Sequence, residues 1–136
     1  MFEWLAPALI ALFSFGLWGF FTKLAIATID AKSALFFQTI GVMLIGLVTF
    51  YFMHFKINLN IKGASFGLLT GFAYGIGCLF YLIAAGKGKI VTVVTLTALY
   101  PLITLLLAYY FLHESLSVKQ TFGIVLALMA ILFMSS

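Results

Sequence analysis

Charge is what this sequence has least of. Of its 136 residues, only seven lysines and Glu3, Asp30 and Glu114 are ionised at neutral pH, and there is no arginine. An ordinary soluble domain is about a quarter charged and roughly half apolar. Here charged types make up 7% and hydrophobic types 65%, with a mean hydropathy of +1.28, so the composition excludes a water-facing surface. The lysines stand singly or in pairs between apolar runs. That excludes a nucleic-acid face, where basic residues gather on one side. Cys78 is the only cysteine, so no intrachain disulfide is possible, and its place inside an apolar run reads as packing. Prolines number two, and polar residues divide the apolar text into a few long runs. Strands of a transmembrane barrel would alternate at every residue, so that architecture is excluded too.

What remains is five apolar runs, each about as long as the roughly 20 residues that cross a bilayer as a helix. They cover Trp4 to Ile29, Ser33 to Phe55, Ala64 to Ala85, Ile90 to Phe111 and Val118 to Met134. Asp30-Ala31-Lys32 closes the first run, Lys56 to Gly63 the second, and Gly86-Lys87-Gly88-Lys89 the third. Ser117 and Gln120 have the spacing of a capping box that starts the fifth helix. Between Lys56 and Lys62 apolar and polar residues alternate, which predicts an extended stretch lying on the headgroups. The first run begins beside Glu3 rather than basic residues and exceeds a signal-peptide core, so it is expected to stay in the protein. The expected fold is all-α and membrane-integral, with residues 1–136 as one domain of five transmembrane helices in one bundle.

Lysines normally mark the cytoplasmic side. With five spans, the side of the amino terminus holds Lys56, Lys62 and Lys119, and the other holds Lys32, Lys87 and Lys89, with Lys23 close by. The balance predicts no preferred direction, and such a chain can insert both ways.

Small and polar residues inside the runs are the candidate site. Gly63, Gly67, Gly71 and Gly75 recur at every fourth position with Gly77 nearby, drawing a smooth stripe that serves close helix packing or leaves room for a ligand or for sliding. Gly16, Gly19 and Lys23 mark one face of the first span. Lys23 stands some six residues before the end of its run, roughly 9 Å along a helix. It either snorkels to the interface or faces a cavity, where its ammonium would favour carboxylate-bearing solutes. Pro101, in the middle of the fourth run, removes a backbone hydrogen bond to Thr97, which makes either a static kink or a hinge. Gly71, Gly75 and Pro101 are the candidate gating positions. Trp18, Lys23, Gln38, Tyr74, Tyr81 and Tyr100 are the candidate substrate contacts, with Thr95 and Thr97 as further intramembrane polar groups.

The sequence carries little that points to catalysis. His54, His113 and Glu114 fall on one side of the membrane, but neither their spacing nor their number matches a metal motif. There is no Ser-His-acid or Cys-His arrangement, no intramembrane carboxylate pair and no phosphate-cradling glycine loop. An enzyme, a cofactor and a bound metal are therefore not expected.

Ala98-Leu99-Tyr100-Pro101-Leu102, the apolar run to Leu112-His113-Glu114, and then Leu116-Ser117, Gln120 and Gly123 resemble the closing signature of EamA-type members of the drug/metabolite transporter superfamily. So do Trp18-Gly19 with Lys23, and Tyr81 to Ala85 before the Gly-Lys turn. The resemblance runs over essentially the whole chain and implies a metabolite exporter. Most such proteins look like two fused five-span halves of opposite orientation, and this chain is similar to one half. The family usually has glycine where His113 stands. Small multidrug transporters of the same superfamily rely on a carboxylate in the first span, which is absent here.

The combined expectation is a secondary transporter or exporter of a small metabolite, multi-pass in the plasma (inner) membrane. It would work by alternating access as an antiparallel homodimer, or as a heterodimer with a second half. The competing expectation is an accessory membrane subunit that moves nothing.

Overall fold

The computed structural model describes residues 3–57, 59–113 and 117–135, without the side chains of Gln120, Met134 and Ser135. Among these residues every regular element is helical. The chain divides into two compact units, Met1–Lys87 and Gly88–Ser136.

The first unit holds α1 (Leu5–Ile26), α2 (Ala31–Phe52) and α3 (Ile61–Lys87), and each packs on the other two. At 1.5 Å per residue they are roughly 33, 33 and 40 Å long, enough for a hydrocarbon core of about 30 Å. Their ends are set by local chemistry. Asp30, extended at φ −71° and ψ 160°, caps α2 by accepting from the Lys32 and Ser33 amides at 3.0 and 3.2 Å, and from the Ser33 hydroxyl. Those donors hold the Asp30 carboxyl below its ordinary pKa of 3.8, the Ser33 hydroxyl foremost. Asn60 caps α3 in the same way, its Oδ1 accepting from the Gly63 amide at 3.0 Å.

The other end of α2 closes with a Schellman turn. The His54 amide donates to the Tyr51 carbonyl and the Phe55 amide to that of Phe50, while the Phe50 and Phe55 rings meet edge to face at 5.0 Å. His54, the residue after the cap, takes the positive φ that this turn requires, and Phe55 after it also has positive φ.

Some expected boundaries move. The helix α1 stops at Ile26 rather than Ile29, because the Ala25 carbonyl accepts from the Thr28 and Ile29 amides and the Thr28 hydroxyl in a closing turn. The stretch expected to lie extended from Lys56 to Lys62 is cut short, since Asn60 starts α3 and Ile61 and Lys62 are already helical. Gly86 and Lys87 likewise belong to α3.

Burial in this unit is confined to one end. Thr22, Ala34, Cys78, Tyr81, Leu82 and Ala85 are buried, and they lie toward the end of α1, the start of α2 and the end of α3. Toward the opposite ends the large apolar side chains are exposed, as suits surfaces meeting lipid.

The second unit holds α4 (Ile90–Thr97), α5 (Tyr100–Leu112) and α6 (Val118–Ser135), with α4 against α6. Residues 90–112 together form one span-length apolar segment of 23 residues. Pro101 is not a kink within a single helix, as expected from its place in the run. Ala98 and Leu99 interrupt the span, and Pro101 sits in the first turn of α5, where a missing amide proton leaves no helix bond unmade. The Leu99 amide donates to Leu96 and the Leu102 amide to Leu99, the tighter i to i−3 pattern. Within α6 the apolar part is shorter, Thr121–Phe133, about 20 Å. Among the described residues, three span-length helices, the interrupted 90–112 segment and this shorter helix fit an all-α membrane protein with about five spans. The Ser117 carbonyl accepts from the Thr121 amide, but the Gln120 half of the capping box lies outside the described residues, as does Glu114.

His113 takes φ 54° and ψ 31° at the end of α5, its amide donating to the Ala108 carbonyl. This left-handed conformation explains why glycine suits the position and makes histidine strained there. His113→Gly should slow amide exchange in the last turn of α5, a stabilisation of up to about 1 kcal/mol. Faster exchange would show that the imidazole itself holds the turn.

Candidate functional site

Four of the six candidate contact residues meet in the first unit. The Trp18 indole Nε1 donates to Gln38 Oε1 at 3.2 Å, and Gln38 Nε2 donates to the Tyr74 hydroxyl at 3.2 Å. One residue from each of three helices thus forms a hydrogen-bonded row. Because both ends of the amide are engaged, its orientation is set by its neighbours. With its oxygen accepting, the Tyr74 hydroxyl proton is directed away from Gln38. Trp18 lies about 12 Å from the end of α1 and Gln38 about 10 Å from the start of α2, well inside the span. The Tyr81 ring lies against the Trp18 ring, centroids 4.6 Å apart and planes tilted by 35°.

A pocket of about 240 Å³ extends from this row toward the α1–α2 turn. Its lining includes the polar residues Trp18, Gln38 and Thr22 and the apolar residues Phe21, Phe37 and Leu82, with Ile29 and Ala34 nearest the turn. Of these, sequence reasoning singled out only Trp18 and Gln38. For Thr22 and Ala25 the signal was their helical spacing from Trp18 along one face of α1, and the other lining residues carried none.

Lys23 has a specific partner that neither expectation named. It lies one turn from the end of α1, closer than its run indicated, and its Nζ donates to the Ala85 carbonyl at 3.1 Å. The ammonium therefore serves the last turn of α3, where carbonyls lack helical partners and the helix dipole favours a cation. No acidic partner was visible there in the sequence, because the partner is backbone.

Among the described residues of the first unit, the glycine stripe is bare. A Cβ built on Gly67, Gly71, Gly75 or Gly77 meets nothing within 4 Å, and one on Gly63 meets only its own cap Asn60. The stripe occupies the first half of α3, which holds no buried residue. Packing between these three helices is thus not its use. In the second unit Tyr100 begins α5 and is exposed. Thr95 and Thr97 turn their hydroxyls back onto α4 carbonyls.

The EamA-like transporter family matches residues 3–136. The chain belongs to this family. It is a multi-pass membrane protein and, by that membership, of transporter type. An uncharacterized protein of Methanocaldococcus jannaschii is 32% identical over 131 residues, 93% of this chain and 91% of that protein. A probable glucose uptake protein of Staphylococcus epidermidis is 29% identical over 119 residues, 88% of this chain but 40% of that protein. A glucose uptake protein of Staphylococcus xylosus is 29% identical over 96 residues, 71% of this chain and 32% of that protein. The chain thus spans well under half the length of the two glucose uptake proteins. No solved structure matches it.

Proposed function

We propose that this EamA-like chain works as half of a transporter. Two copies inserted in opposite orientations build a ten-span unit, which moves a small neutral hydroxylated solute of the sugar class across the plasma (inner) membrane by alternating access. It does so without catalysing a reaction.

The observation that carries the solute class is the row Trp18, Gln38 and Tyr74 at mid-depth. An amide and a phenol offer donors and acceptors to hydroxyl groups, and an indole offers a flat apolar face to a ring's C–H groups. A cavity-facing Lys23 would favour carboxylates, but its ammonium is directed at the Ala85 carbonyl, so a neutral solute fits better. The glucose uptake relatives support the same class. Pairing is supported by the balanced lysines and by the bare stripe on α3. Inverted halves are the usual means of reaching both sides of a membrane.

The test is uptake of D-glucose into proteoliposomes holding the purified chain alone, with L-glucose as control, and labelling of both termini from outside. Saturable, stereoselective uptake with mixed exposure of both termini is expected. Gln38→Leu, which leaves the Trp18 N–H without its acceptor, should lower uptake about tenfold or more, as loss of one or two such bonds implies. A single orientation in all molecules would end the antiparallel pair. Absence of uptake would favour the accessory-subunit reading.

A further inference from the structure

We propose that the Tyr81 hydroxyl and the bare backbone of α1 at Gly19 form a subsite for one hydroxyl group. It is shut in this structure, and it is filled by a hydroxyl of a neutral polyol, or by a water, when α1 and α3 part there. Tyr81 is 8% exposed, and its oxygen is sealed without any hydrogen-bond partner. A hydroxyl cut off from both water and protein partners is costly, most of all within a membrane, so the shut arrangement is biased toward opening.

Its neighbour is suited to admit an occupant. The hydroxyl lies 3.8 Å from where a Cβ on Gly19 would stand, so α1 presents backbone rather than a side chain, and even an alanine methyl would take the space. The preceding residue, Trp18, packs on the Tyr81 ring, lines the pocket and donates to Gln38. Opening at Gly19 is therefore transmitted to the polar row through one indole. The polyol occupant rests on the sugar reading proposed above, whereas the water occupant does not.

The test uses the full chain in nanodiscs and proteoliposomes, with Trp4→Phe leaving Trp18 as the sole indole. Three quantities are read: the thermal midpoint, acrylamide quenching of Trp18, and KM for D-glucose uptake. Tyr81→Phe keeps the ring and removes the hydroxyl. It should raise the midpoint by about 2–6 °C, because the shut arrangement loses its unpaired group, and weaken quenching by holding α1 and α3 together. It should also raise KM about tenfold, as one lost hydrogen bond to solute implies. Gly19→Ala should raise KM likewise without raising the midpoint.

A higher midpoint and weaker quenching with unchanged KM would assign the occupant as water. If the unmodified protein takes up no D-glucose, the sugar reading falls, while midpoint and quenching still decide the subsite. A Tyr81→Phe midpoint at or below that of the parent, or a higher midpoint with neither quenching nor KM changed, overturns the proposal.

Discussion

Replacing Gly71 with leucine should leave the single chain folded and abolish its pairing with a second copy. Among the described residues the substitution meets open space, since no side chain and no other helix lies within 4 Å of a Cβ at Gly67, Gly71 or Gly75. The overpacking penalty of about 1–3 kcal/mol that a tight core would impose is therefore absent from the isolated protomer. In lipid, where the hydrophobic effect does not drive helices together, association depends on close backbone contact across small residues. A leucine in the middle of the stripe holds two such backbones apart. Cross-linking or single-molecule photobleaching should show dimers replaced by monomers, and D-glucose uptake should fall more than tenfold, with helicity and thermal midpoint of the chain unchanged. A variant that still pairs and transports would remove the stripe from the interface. A lowered midpoint with pairing intact would show that it packs within the protomer.

Replacing Pro101 with alanine should slow turnover about tenfold while leaving solute binding unchanged. The span from Ile90 to Leu112 is two helices, and the turn between them is held by the tight bonds at Leu99 and Leu102. Alanine restores an amide proton that can reach the Thr97 carbonyl. It also removes a residue less favourable than alanine by about 3 kcal/mol in a helix interior, so a continuous helix gains on the broken one. If the break flexes during transport, half of that gain added to the barrier is already about tenfold in rate. Paired binding and flux measurements separate the cases, and unaltered flux with unaltered binding would leave Pro101 a static feature.

The polar row was legible as composition and illegible as a site. Trp18, Gln38 and Tyr74 stand out because each interrupts an apolar run, yet their meeting depends on the rotation and register of three helices. In runs this uniformly apolar, no polar stripe marks which way a helix faces. Lys23 shows the same limit from another side. Its nearness to a span end was readable, but its partner is a main-chain carbonyl 62 residues away, and any residue there offers the same group. His113 is a third case. The family's glycine at that position left the turn geometry open in the sequence, and the structure shows that histidine takes the left-handed conformation there, which is costly for a side chain.

Sequence by itself determined that this is a helical membrane protein and where its apolar runs lie to within a few residues, though not that the fourth run is broken at Ala98 and Leu99. Those follow from composition, run length and the chemistry of caps, all of which act locally. Tertiary structure alone decided that the first unit is packed at one end and bare along its glycine stripe, that Trp18, Gln38 and Tyr74 share one row, and that the Tyr81 hydroxyl is sealed against Gly19. Those depend on how helices rotate against one another in lipid, where nearly every face is apolar and the choice rests on shape and a few hydrogen bonds.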